Sequence, residues 1–231
     1  NGVQKAIGSL SVKARSSATD TLTYKPDGSG WQKGEVQITD YPVTFDDKLH
    51  FSYLIDQKIN VLIISGAKAN NYIETVYRTD DYFQAVRNTE NQIDYQSIPR
   101  QRLVVLDRLT TISGGLSQQL TKFVESGGSV LIFPDLASDV NSYNTFLAAV
   151  NADKIGPVDP AANKADKLNL QSQVFSGFIE SVPQNLDLPT VKKSFTTQTN
   201  SRSRREVLLS MQGGKSLLSR TQSGLGTVYL A

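Results

Sequence analysis

The chain has 231 residues, 24 Lys and Arg against 22 Asp and Glu, 39% hydrophobic residues, one His and no Cys. That is enough length and apolar surface for one large domain, or a medium domain with a smaller neighbour, and the near-balanced charge argues against a disordered chain or a nucleic-acid surface. Without Cys there is no thiolate catalysis, disulfide, Cys-type zinc site or iron–sulfur cluster, and one His all but removes His-based metal or acid–base machinery.

Residues 1–56 read as short strands between turns: Ala6 to Lys13, Thr19 to Lys25, Glu35 to Thr39 and Lys48 to Ile55. Pro26 to Gly30 is a turn by composition, and Tyr41-Pro42 with Asp46-Asp47 marks a second loop. Four strands make half of a β-sandwich. The face carrying Leu49, Phe51 and Tyr53 is therefore expected to need a cover, from the rest of the chain or from a second copy.

From Lys58 the texture changes. Val61 to Ile64, Leu103 to Leu106 and Val130 to Phe133 are unbroken apolar runs, as strands buried on both faces require. Between them lie helical patterns. Asn71 and Glu74 form a possible capping box, Leu116, Leu120, Phe123 and Val124 share one helix face before Gly127-Gly128, and Asp139 caps a helix turning Tyr143, Leu147 and Val150 inward. With a strand near Tyr82 to Arg87, residues 57–231 are predicted to form a doubly wound, mostly parallel α/β sheet, its first strands in the flavodoxin-like order 2-1-3-4. Beyond 150 helical period fades. Val158 to Asn163 reads as a loop, Gln173 to Ile179 as a helical turn, and Val191 to Thr197, Val207 to Met211, Ser216 to Arg220 and Thr227 to Leu230 as antiparallel additions to the sheet.

The longest unbroken apolar run, Phe146 to Val150, is far below the ~20 residues of a membrane span. The chain lacks an initiator Met and closes on a strand-like run, so it is expected to be a piece of a longer protein whose anchor or signal lies outside it.

Most motifs here have plain readings. Gly213-Gly-Lys-Ser216 has the tail of a phosphate loop but Leu209 where the first Gly belongs, and a strand pattern follows it, so it reads as a hairpin turn. Gly224 and Gly226 lack the third Gly of a dinucleotide fingerprint. His50 sits on a hairpin strand far from every α/β loop, and Ser201 to Arg205 reads as a solvated basic loop without interleaved aromatics.

The sharpest candidates are positional. Ser65, Gly66, Asp107, Arg108 and Asp135 lie just past the carboxyl ends of predicted parallel strands, where open α/β sheets bind ligands. Two carboxylates on neighbouring strand ends have the chemistry of a shared-proton pair or a cation site; the plainer reading is that each turns the chain or caps an amide.

Ile38 to Asp47, Leu49 to Tyr53, Ile59 to Gly66, Leu103 to Gly128 and Leu168 to Phe175 together resemble the large Bacteroidetes membrane proteins of the aerotolerance (Bat-type) group. The resemblance implies the second half of a β-sandwich followed by a module similar to class I glutamine amidotransferases, held on the periplasmic side of the inner membrane by segments outside this chain. Such amidotransferases carry a nucleophilic Cys at an elbow after a central strand. The matching stretch, Val130-Leu-Ile-Phe-Pro-Asp135, has none.

The first reading is thus a non-catalytic scaffold without cofactor, binding other regions of the same membrane protein or its operon products, and no nucleic acid. Beside it stand a module binding a small ligand, a saccharide or metal ion, at the strand ends, and a divergent hydrolase using Asp107 and Asp135. In the first, both Asp side chains are expected to make turn or cap hydrogen bonds, and an ordinary Asp pKa near ~4 makes Asp107 a poor base for Ser65.

Overall fold

The computed structural model describes residues 2–39, 45, 47–55, 58–175 and 186–231. It divides into two compact units, residues 1–57 and 58–231.

In the first unit only two strands form among the described residues, β1 (Gly30–Gln37) and β2 (Lys48–Ile55), paired antiparallel with Gly34 opposite Phe51. The Phe51 ring lies over Gly34, where a Cβ would come within 2.3 Å of it. Phe51 and Tyr53 stack at 6.0 Å, and Tyr24 and Tyr53 share a hydroxyl–hydroxyl bond. The four-stranded half-sandwich is not what forms. Ala6 to Lys13 and Thr19 to Lys25 flank a turn in which the Ser16 amide donates to the Lys13 carbonyl, and neither joins a strand ladder. Their apolar residues remain exposed, Leu10 and Val12 about half so, and ladders gain little without such burial. Within this unit Leu49 stays 65% exposed.

The second unit runs β3 (Ile59–Ser65), α1 (Tyr72–Arg78), β4 (Phe83–Thr89), a 3-10 turn (Tyr95–Arg100), β5 (Leu103–Asp107), α2 (Gly114–Glu125), β6 (Ser129–Phe133), α3 (Val140–Ala149), β7 (Lys154–Asp159), β8 (Asn163–Leu168), β9 (Thr190–Val191), β10 (Ser194–Gln198), β11 (Arg204–Met211), β12 (Ser216–Ser223) and β13 (Gly226–Leu230). Nine of these strands form one sheet in the order β4-β3-β5-β6-β13-β12-β11-β8-β9. From β4 to β13 all pairings are parallel and the first four strands follow the 2-1-3-4 order; from β13 outward all are antiparallel.

The apolar runs exist because the strands are covered twice. Leu62, Ile64, Val104, Leu106, Val130 and Ile132 face α2 and α3, while Val61, Ile63 and Val105 face the other way, toward Ile73 and Tyr77 of α1. Each such side chain contributes about 2 kcal/mol of burial. Ser113 and Asp139 cap α2 and α3 through their side chains. Asn71 does not cap α1; Asn70 accepts the Tyr72 amide instead, and Glu74 is drawn to Arg78 and Arg87. Tyr143 is fully buried, donates to the Leu109 carbonyl at 2.9 Å, and has its pKa pushed up to about 12 by burial. Since Ser138 Oγ also donates to that carbonyl, Tyr143→Phe should cost only about 1 kcal/mol in a urea titration.

The C-terminal third departs most from the sequence reading. β13 is a fifth parallel strand, not an antiparallel addition: glycine at 226 lets the chain meet the end of α2, where a Cβ would come within 2.2 Å of the Val124 and Gly128 carbonyls. The stretch read as a Pro/Ala loop holds the ends of β7 and β8, and β10 pairs with β7 in a separate two-stranded sheet. Arg204 and Arg205 belong to β11, not to a solvated loop. Most of the helical turn expected at 173–179 lies outside the described residues. The hairpin reading of Gly213-Gly214 matches two positive φ angles, 79° and 78°.

Candidate functional site

The register of β4, β3, β5 and β6 places Thr89, Ser65, Asp107 and Phe133 in one row across the carboxyl rim of the parallel sheet. Residues paired across parallel strands share a face, so this row lies on the side where α1 packs. Ser65 and Asp107 occupy its centre. They end the two strands between which the connections switch faces, with α1 following β3 on one side and α2 following β5 on the other. Open α/β sheets bind ligands at this point.

Here the two loops stay joined one residue beyond the strands. The Gly66 amide donates to the Asp107 carbonyl at 2.8 Å, and the chain at Gly66 runs so close to Arg108 that a Cβ would lie 1.9 Å from its carbonyl oxygen. Arg108 leaves the strand with φ 57°, a left-handed conformation that is strained for a side-chain-bearing residue. Its guanidinium reaches Asp135, with Nη2 and Nε at 3.0 and 3.2 Å from Oδ2.

Asp135 is a structural carboxylate. Its Oδ1 accepts the Ala137 amide at 2.9 Å, and Lys68 stands 3.9 Å away. That backbone bond, then Lys68 and Arg108, hold its pKa below the ordinary Asp range against the effect of burial. A lowered folded pKa gives stability above the unfolded value that is lost as pH falls through the folded one. Asp135→Asn should therefore be destabilised by about 1 kcal/mol at neutral pH, a difference that closes in acid. Thermal melts across pH check this.

Asp107 makes no such bond, contrary to the turn or cap expected of it. It is 3% exposed, and its Oδ2 has no hydrogen-bond partner among the described residues. Nor is its pKa ordinary: burial raises it, while Arg87 and Arg108 pull it back. A raised folded pKa means stability held below the unfolded value and lost as pH rises through the folded one. Asp107→Asn should thus melt higher than wild type at neutral pH and lose that advantage in acid.

Ser65, 2% exposed, accepts a bond at 2.8 Å from Arg87 Nε. Arg87 is held in turn by the Ala69 carbonyl at 3.4 Å and by Glu74 of α1 at 3.6 Å. The sequence reading missed Arg87, Glu74 and Lys68. Arg87 had a signal, a charge in the inward register of an apolar strand, whereas Glu74 was taken for a cap. Asp107 and Asp135 do not form a pair, since Asp135 is turned to Arg108 and Lys68. No group of three His, Cys, Asp or Glu side chains suited to a metal occurs among the described residues. His50 is on β2, beside Glu35 at 3.4 Å. A cavity of about 120 Å3 opens between Pro134, Leu136, Ile155, Phe195, Leu217 and Leu230, and none of the five predicted site residues lines it.

No model of a known protein family matches the sequence, and neither does any curated protein. Solved structures do. A ThuA-like protein from Bacteroides uniformis is 14% identical and matches over 82% of this chain and 84% of its own, with a TM-score of 0.52. The β-galactosidase from Bacillus circulans sp. alkalophilus is 16% identical and matches over 75% of this chain but 28% of its own, with a TM-score of 0.51. A glutamine amidotransferase from Thermotoga maritima is 13% identical over 75% of each chain, with a TM-score of 0.45. What is shared is the fold. The chain carries a mixed α/β fold with a large, partly parallel sheet, and the ThuA-like protein and the β-galactosidase share that fold alone.

Proposed function

We propose that this chain is a non-catalytic interaction module, the periplasmic part of a membrane-anchored protein of the aerotolerance (Bat) type. The observation that carries the non-catalytic reading is the bonding of Ser65. Its oxygen accepts a hydrogen bond from Arg87, and its hydroxyl donates none to a carboxylate or imidazole among the described residues. A nucleophilic hydroxyl needs the reverse, a base that takes its proton. Asp107 is its register partner, yet no hydrogen bond joins the two side chains. The elbow position after β6 carries Pro134 and Asp135, and Asp135 is already engaged.

Interaction is supported by the first unit, where Trp31 is 74% and Leu49 65% exposed on a two-stranded hairpin. Trp31 pairs with Leu54 and Leu49 with Val36, so each face of the hairpin leaves a large apolar side chain whose burial against a partner is favourable. Membrane anchorage and periplasmic placement rest on the sequence resemblance; no helix among the described residues is long and apolar enough to cross a membrane. The partner is another region of the same membrane protein or a product of its operon.

A photo-crosslinking residue at position 31 or 49 of the full-length membrane protein tests this in cells. Crosslinks to the same protein or to a defined periplasmic protein are expected. Their absence at both positions would remove the interaction role.

A further inference from the structure

We propose that the rim formed by β3, β5 and β6 binds a small, uncharged, polyhydroxylated ligand, one hydroxyl of which bridges Ser65 and Asp107. The two side chains are register partners with complementary unfilled valences. Ser65 Oγ accepts from Arg87 and its own proton goes to no acceptor, while Asp107 Oδ2 receives no donor, among the described residues. One hydroxyl fills both, accepting from Ser65 and donating to Asp107. Protonation of Asp107 would not, because its new O–H would itself need an acceptor. A buried acceptor without a partner costs about 1–3 kcal/mol, and folds retain such costs mainly at functional sites.

Charge selects against ionic ligands. Arg87 and Arg108 face Asp107, and Glu74 and Asp135, with Lys68 nearby, compensate them. A cation would meet two guanidiniums, and an anion would meet Asp107 and Asp135. Phe133, the next residue along the row, is half-buried and offers an apolar ring against which the C–H face of a cyclic polyol can pack. Ser65 and Asp107 are 2% and 3% exposed, so binding requires the side chains over them to move. The proposal does not depend on the partner assigned above.

The test is amide-resolved NMR titration of the protein with D-glucose, D-galactose and myo-inositol. At least one should give saturable shifts centred on the Gly66 and Arg108 amides. Asp107→Asn should weaken binding about tenfold or more, as loss of a charge-assisted bond requires, while raising the melting temperature at neutral pH. Phe133→Leu should weaken binding with the fold intact. Three results would overturn the proposal: no saturable shift with any of the three probes, as when the gap holds only a water; undiminished binding by Asp107→Asn; or a lower melting temperature for Asp107→Asn, which would make the carboxylate structural.

Discussion

Gly66→Ala is expected to lower stability by about 3 kcal/mol or more, near the upper end of overpacking effects. The new methyl would meet the Arg108 carbonyl oxygen at 1.9 Å, its carbon at 2.7 Å and the Leu109 Cα at 3.1 Å, all backbone atoms that cannot rotate away. Relief requires separating the β3 and β5 loops and breaking the Gly66 amide bond to Asp107. A urea titration should show a much lower midpoint with an unchanged slope. Gly114→Ala is the control: it opens α2 with nothing within 4 Å of the added carbon and should be neutral or slightly stabilising. A small loss in Gly66→Ala would mean that the strand ends are not joined as described.

Arg205→Ala should be as damaging, costing about 3–5 kcal/mol. Asp153 is 2% exposed, and its Oδ2 lies 2.9 Å from Arg205 Nε as an ion pair without hydrogen-bond alignment. Without Arg205 the carboxylate keeps, among the described residues, only the Asn200 amide, at 3.0 Å. The energy lost is mostly that of stranding a buried charge, so a double variant, Asp153→Asn with Arg205→Met, should recover much of it. If Arg205→Ala loses less than the double variant does, the pair is not a buried one.

The parallel core was legible because its cause is local. Val61 to Ile64 alternates between two faces that are both covered, and no other strand environment asks for apolar residues at every position. The cap at Asp139 could be read for the same reason. What could not be read depends on partners distant in sequence. Thr227 to Leu230 has the same pattern whether its neighbour runs parallel or antiparallel, and only its pairing with β6, distant in sequence, distinguishes the two. Ala6 to Lys13 has strand-like alternation, but alternation without a covering layer does not make a ladder.

The site was half legible in the same sense. Its position followed from the strand ends, and all five predicted residues do stand there. Their bonding did not follow. Arg108 looks like a loop residue until its left-handed backbone turns it toward Asp135, and nothing local distinguishes Asp135, which takes the Ala137 amide, from Asp107, which takes none. Arg87 reaches Ser65 from another strand and Glu74 holds Arg87 from a helix, contacts that only the folded sheet brings about.

The most direct test of the central claim, that the strand ends hold no activated nucleophile, is a turnover assay of the purified protein with glutamine and with a simple ester. No hydrolysis above buffer is predicted, for wild type and Ser65→Ala alike, because Ser65 is held as an acceptor by Arg87. Turnover by wild type that Ser65→Ala or Asp107→Asn abolishes, with the melting transition retained, would contradict the account and make this rim a hydrolytic centre.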